Sequence, residues 1–210
     1  MNSNRRDFDI KANDWDDNPQ RIKLANDIFR SISREVILLP SMDIMDFGCG
    51  TGLLTLQFRP LVRSITGFDS SEGMLNVFRK KVIQEGLIGV DIRHLNHDNG
   101  EQLKGRYHLI ISSMALHHIK DVQSLLGQFY KLILPSGHLC IADLDLDNGK
   151  FHNTDEGVFH HGFDLEILHD IFEKEGFNTI RHVQAAKVVK TGSDRIVRQF
   201  SIFLMIGRRS

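Results

Sequence analysis

The segment Ile44-Met45-Asp46-Phe47-Gly48-Cys49-Gly50-Thr51-Gly52-Leu53-Leu54 constrains the fold more than any other stretch of the chain. An apolar run enters three alternate glycines and leaves as an amphipathic stretch, the pattern of a strand that turns sharply into a helix. Glycine lacks a Cβ, so the backbone can bend tightly there and approach a ligand to contact distance. A ligand is therefore expected across the turn. The next apolar run, 64–68, is followed by Asp69, 19 residues beyond Gly50 and near the ~20-residue offset at which such folds hold a ribose with an acid. Strand, turn, helix, strand and acid in this order predict a nucleoside-binding crevice.

Charge bears on which nucleoside. Asp46 lies near the end of the first strand, where a pyrophosphate on the following helix N-terminus would meet a carboxylate. A cationic α-amino group would be attracted to it. S-adenosylmethionine carries such an ammonium and a sulfonium and has no phosphate, so the acid tilts the choice towards it. Two alternatives stay open: a nicotinamide-dependent oxidoreductase built on the same turn, and a non-catalytic S-adenosylmethionine-binding protein.

The rest of the chain repeats the strand and helix alternation. Pro19 after Asn18 suits the first position of a helix, and Ile22, Ala25, Phe29, Ile32 and Val36 recur at helical spacing. Strands are expected at 44–47, 64–68, 90–94, 108–112 and 138–142, with helices near 53–58, 73–84, 122–134 and 165–175. Two further β-rich runs, 179–189 and 196–206, flank Thr191-Gly192-Ser193-Asp194, which reads as a hairpin loop. The expected fold is α/β, a Rossmann-like three-layer sandwich whose mostly parallel seven-stranded sheet ends in a C-terminal antiparallel hairpin. A single domain over 1–210 is expected, with residues 1–40 as an N-terminal helical lid and 41–210 as the Rossmann-like core.

Composition excludes several partners. A net charge of −1 without a sustained Lys/Arg run argues against nucleic acid. No stretch approaches the ~20 apolar residues of a membrane span, and the start of the chain has no apolar leader region. Cys49 and Cys140 are too few for a disulfide framework, which suggests a reducing, cytoplasmic setting. Cys49, between two glycines, reads as packing. Oligomeric state is left open.

Together, residues 46–52, Asp69, His97-Asp98, Ile110 through His118 and Leu134-Pro135-Ser136-Gly137-His138-Leu139 resemble class I methyltransferases, and the small-molecule type that includes quinone-biosynthesis enzymes most of all. The resemblance spans about residues 8–206. It implies S-adenosylmethionine as cofactor, with Asp46, Gly48, Gly50, Thr51 and Gly52 around the methionine and ribose, and Asp69 with Ser70 at the sugar. Met74 would lie near adenine, Asp98 beside His97 would meet the adenine amino group, and Ser112, Ser113 and Met114 would floor the methionine. Trp15 and Arg21 become candidates for closing over the cofactor, Trp15 through a cation–π contact, although packing as an apolar cap on the core is the better explanation of a lone tryptophan. Pro135-Ser136-Gly137 replaces the common Pro-Gly-Gly turn. No Asn-Pro-Pro-Tyr type motif is present, which lowers nucleic-acid bases and protein amides as acceptors and leaves a small molecule.

Eleven histidines are many for this length, and His152, His160 and His161 share the glycine-containing segment 147–163 after the fifth strand. Loops at the carboxyl ends of such sheets line the ligand crevice, so His152 and His161 are proposed as acid/base or binding groups, with His117 as a further base candidate. The opposing reading makes the loop histidines exposed and His117-His118 a packing feature. No metal site is expected, because neither HxxxH nor CxxC spacing accompanies these residues. Asp143, Asp145 and Asp147 alternate at a strand end and read as solvated loop acids.

Overall fold

A computed structural model describes residues 8–97, 100–147, 149–152, 154–191 and 196–210. Its seven-stranded sheet is built from β1 (Asp43–Phe47), β2 (Ser64–Asp69), β3 (Val90–His94), β4 (Tyr107–Ser113), β5 (Ile133–Leu144), β6 (Asn178–Thr191) and β7 (Val197–Arg208). The spatial order is β3-β2-β1-β4-β5-β7-β6. The first five strands are mutually parallel, and β7 inserts antiparallel between β5 and β6. The expected sheet and its closing antiparallel pair are present. The hairpin loop falls mostly at 192–195, outside the described residues.

Helices cover both faces, so the central strands are buried on both sides and read as nearly continuous apolar runs. On one face α2 (Pro19–Glu35) and α3 (Thr55–Phe58) close over Ile44, Ile65, Leu109 and Ile111. On the other, α5 (Val122–Leu132) and α6 (Leu165–Lys174) close over Met45, Ile110, Ile141 and Phe203. The helix α4 (Glu72–Gln84) lies along β2 and β3, where Gly67 leaves room for Cys49 and Phe78.

Local chemistry sets the helix ends. The Asn18 side chain accepts from Gln20 N at 2.9 Å ahead of Pro19, satisfying an otherwise orphaned first-turn donor. Ser71 does the same for Met74 N. The expected helix over 53–58 shrinks to Thr55–Phe58 and a short 3-10 turn at Arg59–Leu61, because Pro60 cannot supply the N–H that a longer helix needs. Likewise α5 stops at Leu132, and Ile133 already pairs with Tyr107 as β5. Pro135 would break any continuation, and Ser136 adopts φ +65° in the bend that follows. Among the described residues no helix is long and apolar enough to cross a membrane.

The strand order reverses between β1 and β4. Ligands of open α/β sheets bind outside the carboxyl ends of the strands at such a reversal, and the glycine turn after β1 sits there.

Candidate active site

The glycine turn is held from β2. Gly48 N and Cys49 N both donate to Phe68 O, at 2.8 and 3.1 Å, because the parallel register sets Phe47 beside Phe68. The next residue of β2 is Asp69, whose Oδ2 accepts from Gly50 N at 2.8 Å and whose Oδ1 accepts from Ser71 N at 2.8 Å. The acid thus ties the turn to the start of α4. The glycines divide by surroundings. A Cβ on Gly48 would fall 2.4 Å from Ala115 Cβ and one on Gly52 2.5 Å from the Phe78 ring, whereas one on Gly50 would meet nothing within 4 Å. Gly50 is where the turn faces open space.

Asp46 stands behind the turn, 1% exposed, with Oδ2 accepting from the Thr55 hydroxyl. Its Oδ1 is buried with no hydrogen-bond partner among the described residues. Burial foremost, opposed by the Thr55 hydrogen bond and reinforced by the nearby Asp69 charge, pushes its carboxyl up to about 7. Cys49 is buried, and its thiol is raised well above its usual range by burial and then by the Asp69 and Asp46 charges. A thiol held protonated is a poor nucleophile, which agrees with a packing role.

The N-terminal residues cross this turn. The Asp9 carboxylate in α1 (Phe8–Lys11) accepts from the Ser71 hydroxyl at 2.6 Å and from Gly73 N at 2.7 Å. Asp16 accepts from the buried Thr51 hydroxyl at 2.6 Å and pairs with Lys81, which also donates to Thr51 O. Trp15 is half-buried, with the Arg21 guanidinium 3.7 Å over its ring and Phe8 against its edge. Arg21, in α2, therefore supplies a cation to Trp15. Within the first forty residues it is 8–17 that lies over the glycine turn, while α2 packs flat against β6 and β7.

The floor comes from β4. Ser112 is paired between Phe47 and Ile141, with its hydroxyl oxygen buried and unpartnered among the described residues. Ser113 follows, and Met114 takes φ +54° while donating to Ala142 O at 2.8 Å. A non-glycine residue in this left-handed region stores strain of about 1–3 kcal/mol, a cost that clusters at functional sites. His97 meets Phe47 edge-on, and its Nδ1 is also buried without a partner among the described residues. Met74 is buried at the head of α4, and the carbonyl of Ser70 faces His94 Nε2 at 3.2 Å. Asp98 lies outside the described residues.

Beyond Met114 the chain enters a 3-10 turn, Leu116–His118, where one of the sequence expectations fails. Asp143 is not a solvated loop acid. It is 1% exposed, its Oδ1 lies 2.7 Å from His117 Nδ1, and its Oδ2 accepts from Leu116 N at 2.9 Å and His117 N at 3.3 Å. The β5 run stays buried through Leu144 and carries Asp143 inside with it. Burial opposes ionisation here, but the His117 charge and hydrogen bond, with the backbone donors of Leu144 and His117, outweigh it and hold the carboxyl below its usual range. Asp145 is half-buried, and Asp147 accepts from Gly149 N and Phe151 N, so it organises the following loop.

That loop folds back onto the 3-10 turn. Phe159 N and His160 N donate to His117 O at 2.9 and 3.2 Å, and His118 Nδ1 meets Gly157 O. The buried His152 ring comes to 4.9 Å from His117 and 5.8 Å from His118, whose own ring is 4.1 Å from His117 and 5.5 Å from Phe8. His161 is not brought in: it is exposed, 3.7 Å from Asp155. His160 bonds Ile119 O at 2.9 Å. Of the three histidines considered for acid/base work, the fold gathers His117 and His152 and leaves His161 outside.

Residues 20–182 match the model of a family described as a methyltransferase domain. The chain belongs to the class I methyltransferases that use S-adenosylmethionine. It is 33% identical over 161 residues to an uncharacterised methyltransferase of Schizosaccharomyces pombe, covering 70% of this chain and 57% of that protein. It is 25% identical to the ubiquinone biosynthesis O-methyltransferase of Pseudomonas aeruginosa, covering 66% and 61%. The chain thus spans about three-fifths of the length of these two relatives. Among solved structures, a chain of the complex between the Haloferax volcanii Trm112 methyltransferase activator and a methyltransferase aligns with a TM-score of 0.79 at 16% identity, covering 97% and 98%. Phosphoethanolamine N-methyltransferase 2 of Haemonchus contortus, in complex with S-adenosylmethionine, aligns at 0.71 and 17% identity, covering 88% and 52%. At these identities the likeness is one of fold.

The residues present suit the family cofactor. An unpartnered carboxylate oxygen on Asp46 matches an ammonium, and the unpartnered Ser112 hydroxyl and the open side of Gly50 lie at the same strand ends. A pyrophosphate would gain nothing from a buried acid at this point.

Proposed function

We propose that this chain transfers a methyl group from S-adenosylmethionine to a small-molecule acceptor bound between the glycine turn and the histidine cluster. The observation that carries the reading is Asp46 Oδ1, buried at the head of the turn with no hydrogen-bond partner among the described residues. In the bound state Asp46 would take the ammonium, Asp69 the ribose hydroxyls, and Ser112 to Met114 the floor beneath the methionine. Asp69 would have to yield its hydrogen bond to Gly50 N, or share it, to accept from the sugar. When bound, S-adenosylmethionine supplies a methyl group activated by its sulfonium. The protein's part is to align the acceptor and exclude water, effects that remove several kcal/mol of barrier without a covalent step on the enzyme. Residues 8–17 and the segment after β5 provide the walls for that exclusion.

His117 and His152 stand on the acceptor side as binding and proton-accepting groups, and the exposed His161 is left to local contacts. The relative named as a ubiquinone biosynthesis O-methyltransferase supports a small acceptor. The test is calorimetric titration with S-adenosylmethionine and, separately, NADH, followed by incubation with methyl-labelled cofactor and a panel of small hydroxyl, amine and thiol compounds. Binding of S-adenosylmethionine alone and label transfer are expected. Binding of NADH instead would restore the oxidoreductase alternative, and cofactor binding without transfer to any compound would favour a non-catalytic binder.

A further inference from the structure

We propose that the overhanging end of the β6–β7 ribbon selects the acceptor, and that Lys190 and Arg198 on it bind a carboxylate or phosphate at the far end of an elongated acceptor molecule. This rests on the methyltransferase reading above and deepens it to an acceptor class. The pairing of β5 with β7 ends at Leu144 and Ile202, but β6 and β7 stay paired with each other as far as Thr191 and Val197. The carboxyl end of β5 lies on the same side of the sheet as those of the other parallel strands, where the glycine turn sits. The ribbon therefore overhangs the sheet on the crevice side.

Alternation decides which side chains face inward. Opposed residues of an antiparallel pair share a face, and every second residue joins them, so Val188, Lys190, Arg198 and Phe200 lie on one face of the ribbon. That face meets the roof. The Phe200 ring is 5.2 Å from Phe151, and the Lys190 ammonium stands 4.7 Å over the Phe151 ring and donates to Phe151 O. Phe151 is in turn 4.9 Å from His152, the ring that reaches His117. Met114, just beyond β4, packs against the same apolar group as Phe151 and Val188, a group that includes Phe200. An apolar surface thus leads from the floor of the crevice to two cations. Both are half-buried, whereas Lys187, Val189 and Gln199 on the other face are exposed.

Lys190 and Arg198 are register partners, and like charges set directly opposite each other destabilise a ribbon. Clamping the roof requires Lys190 alone. A ligand whose negative charge both cations share accounts for the second, since a guanidinium offers a planar fork to two oxygens and an ammonium adds a point charge beside it. Distance then fixes the shape of the ligand. Met114 donates to Ala142 O, Ala142 pairs with Leu204, and Arg198 lies further along β7 by about 20 Å at ~3.3 Å per residue. Allowing for the reach of the side chains, the acid stands on the order of 10–15 Å from the reacting atom. The body between them is apolar, because Met114, Phe151 and Val188 line the way.

The test has two arms on the full chain. In the first, protein saturated with S-adenosylhomocysteine is titrated by calorimetry with ω-phenyloctanoate, ω-phenyloctyl phosphate and ω-phenyloctanamide, which share one apolar body. An acid is expected to bind about 10–100-fold more tightly than the amide, and the tighter of the two acids tells carboxylate from phosphate. Combining Lys190→Gln with Arg198→Gln should abolish that advantage and leave the amide and S-adenosylhomocysteine affinities as they were. Equal binding of acids and amide, or binding of none of the three, would overturn the proposal in the unaltered protein, whether or not the variant folds. An advantage kept in the variant would also overturn it. In the second arm phenol, aniline and thiophenol forms of the tighter acid and of the amide are offered with methyl-labelled S-adenosylmethionine. For the head group that is methylated, the acid should have the lower KM at similar kcat, and the double substitution should raise KM for the acid alone by about 10–100-fold. The same KM for acid and amide, or a loss in kcat with KM unchanged, would overturn it. Failure to bind S-adenosylmethionine at all would strike the methyltransferase reading instead, and the preference for an acid is still measured on the protein without the nucleoside.

Discussion

Asp46 and Asp143 are both buried to 1% exposure, yet burial has opposite consequences for them because their partners differ. Asp143 has a histidine and backbone donors and stays ionised. Asp46 has one hydroxyl, and its carboxyl rises from 3.8 to about 7. Between those values the folded protein holds a proton that the unfolded chain has released. The contribution of Asp46 to stability is therefore full below the unfolded value of 3.8 and is lost as pH rises through about 7. Cofactor binding should run the other way, because an ammonium needs the carboxylate. With half-ionisation at about pH 7, S-adenosylmethionine should bind about tenfold more weakly at pH 6 than at pH 8. Calorimetry at the two pH values checks this, and Asp46→Asn should remove the difference. Equal affinities in the unaltered protein would take Asp46 out of the site. Asp46 and Asp69 are legible in the sequence because Asp46 lies near the end of the strand that enters the glycine turn and Asp69 ends the strand after it. The Asp143–His117 pair is not, since 26 residues and a helix separate its members. One signal was available: Asp143 interrupts an apolar run that resumes at Leu144, so the strand extends past it.

At the scale of the element, the glycine turn shows that one motif can hold residues of different physical purpose. Gly52 has φ +82° and lies against Phe78, so Gly52→Ala combines backbone strain with a clash of two packed groups. A loss of about 3 kcal/mol is expected, seen as a fall in Tm of about 6–12 °C for a domain of this size. Gly50 has φ +54° but open space around it, so Gly50→Ala should cost only about 1 kcal/mol. Its penalty should appear in cofactor affinity, where the added methyl meets the ligand. Thermal melts with and without S-adenosylmethionine separate the two cases, and equal destabilisation by both substitutions would contradict the division. Alternating glycines announce a ligand turn in the sequence but do not say which glycine faces the ligand. Long periodic elements were also legible, as with α2, α4 and the strands. The short α3 and the early start of β5 were not, because Pro60 and the pairing of Ile133 with Tyr107 override the apolar pattern on either side.

Across the whole molecule, two segments distant in sequence meet over one crevice. Residues 8–17 are pinned to the glycine turn and α4 through Asp16 and Asp9, and the roof after β5 is pinned to the 3-10 turn through His117 O. Phe8 reaches the His118 ring, whose Nδ1 meets Gly157 O of the roof, so the two segments are bridged by the 3-10 turn. Neither belongs to the sheet, and each is held by a few polar contacts, which places them at the low-stability end of the molecule. A ligand bound beneath them should therefore add stability globally and slow local opening in these places. S-adenosylmethionine at a hundredfold excess over its Kd adds about 2.7 kcal/mol, a rise in Tm of about 5–10 °C here. Hydrogen exchange should slow most in 8–17, 48–52 and 157–160, beyond the global increment, while the β6–β7 pair, which lies at the opposite side of the sheet from β3, should gain no more than that increment. NADH should produce neither effect. Protection confined to β6 and β7, or spread evenly over the chain, would mean that the ligand binds away from the point where the strand order reverses. The assignment of the crevice would then fail even though the fold stood.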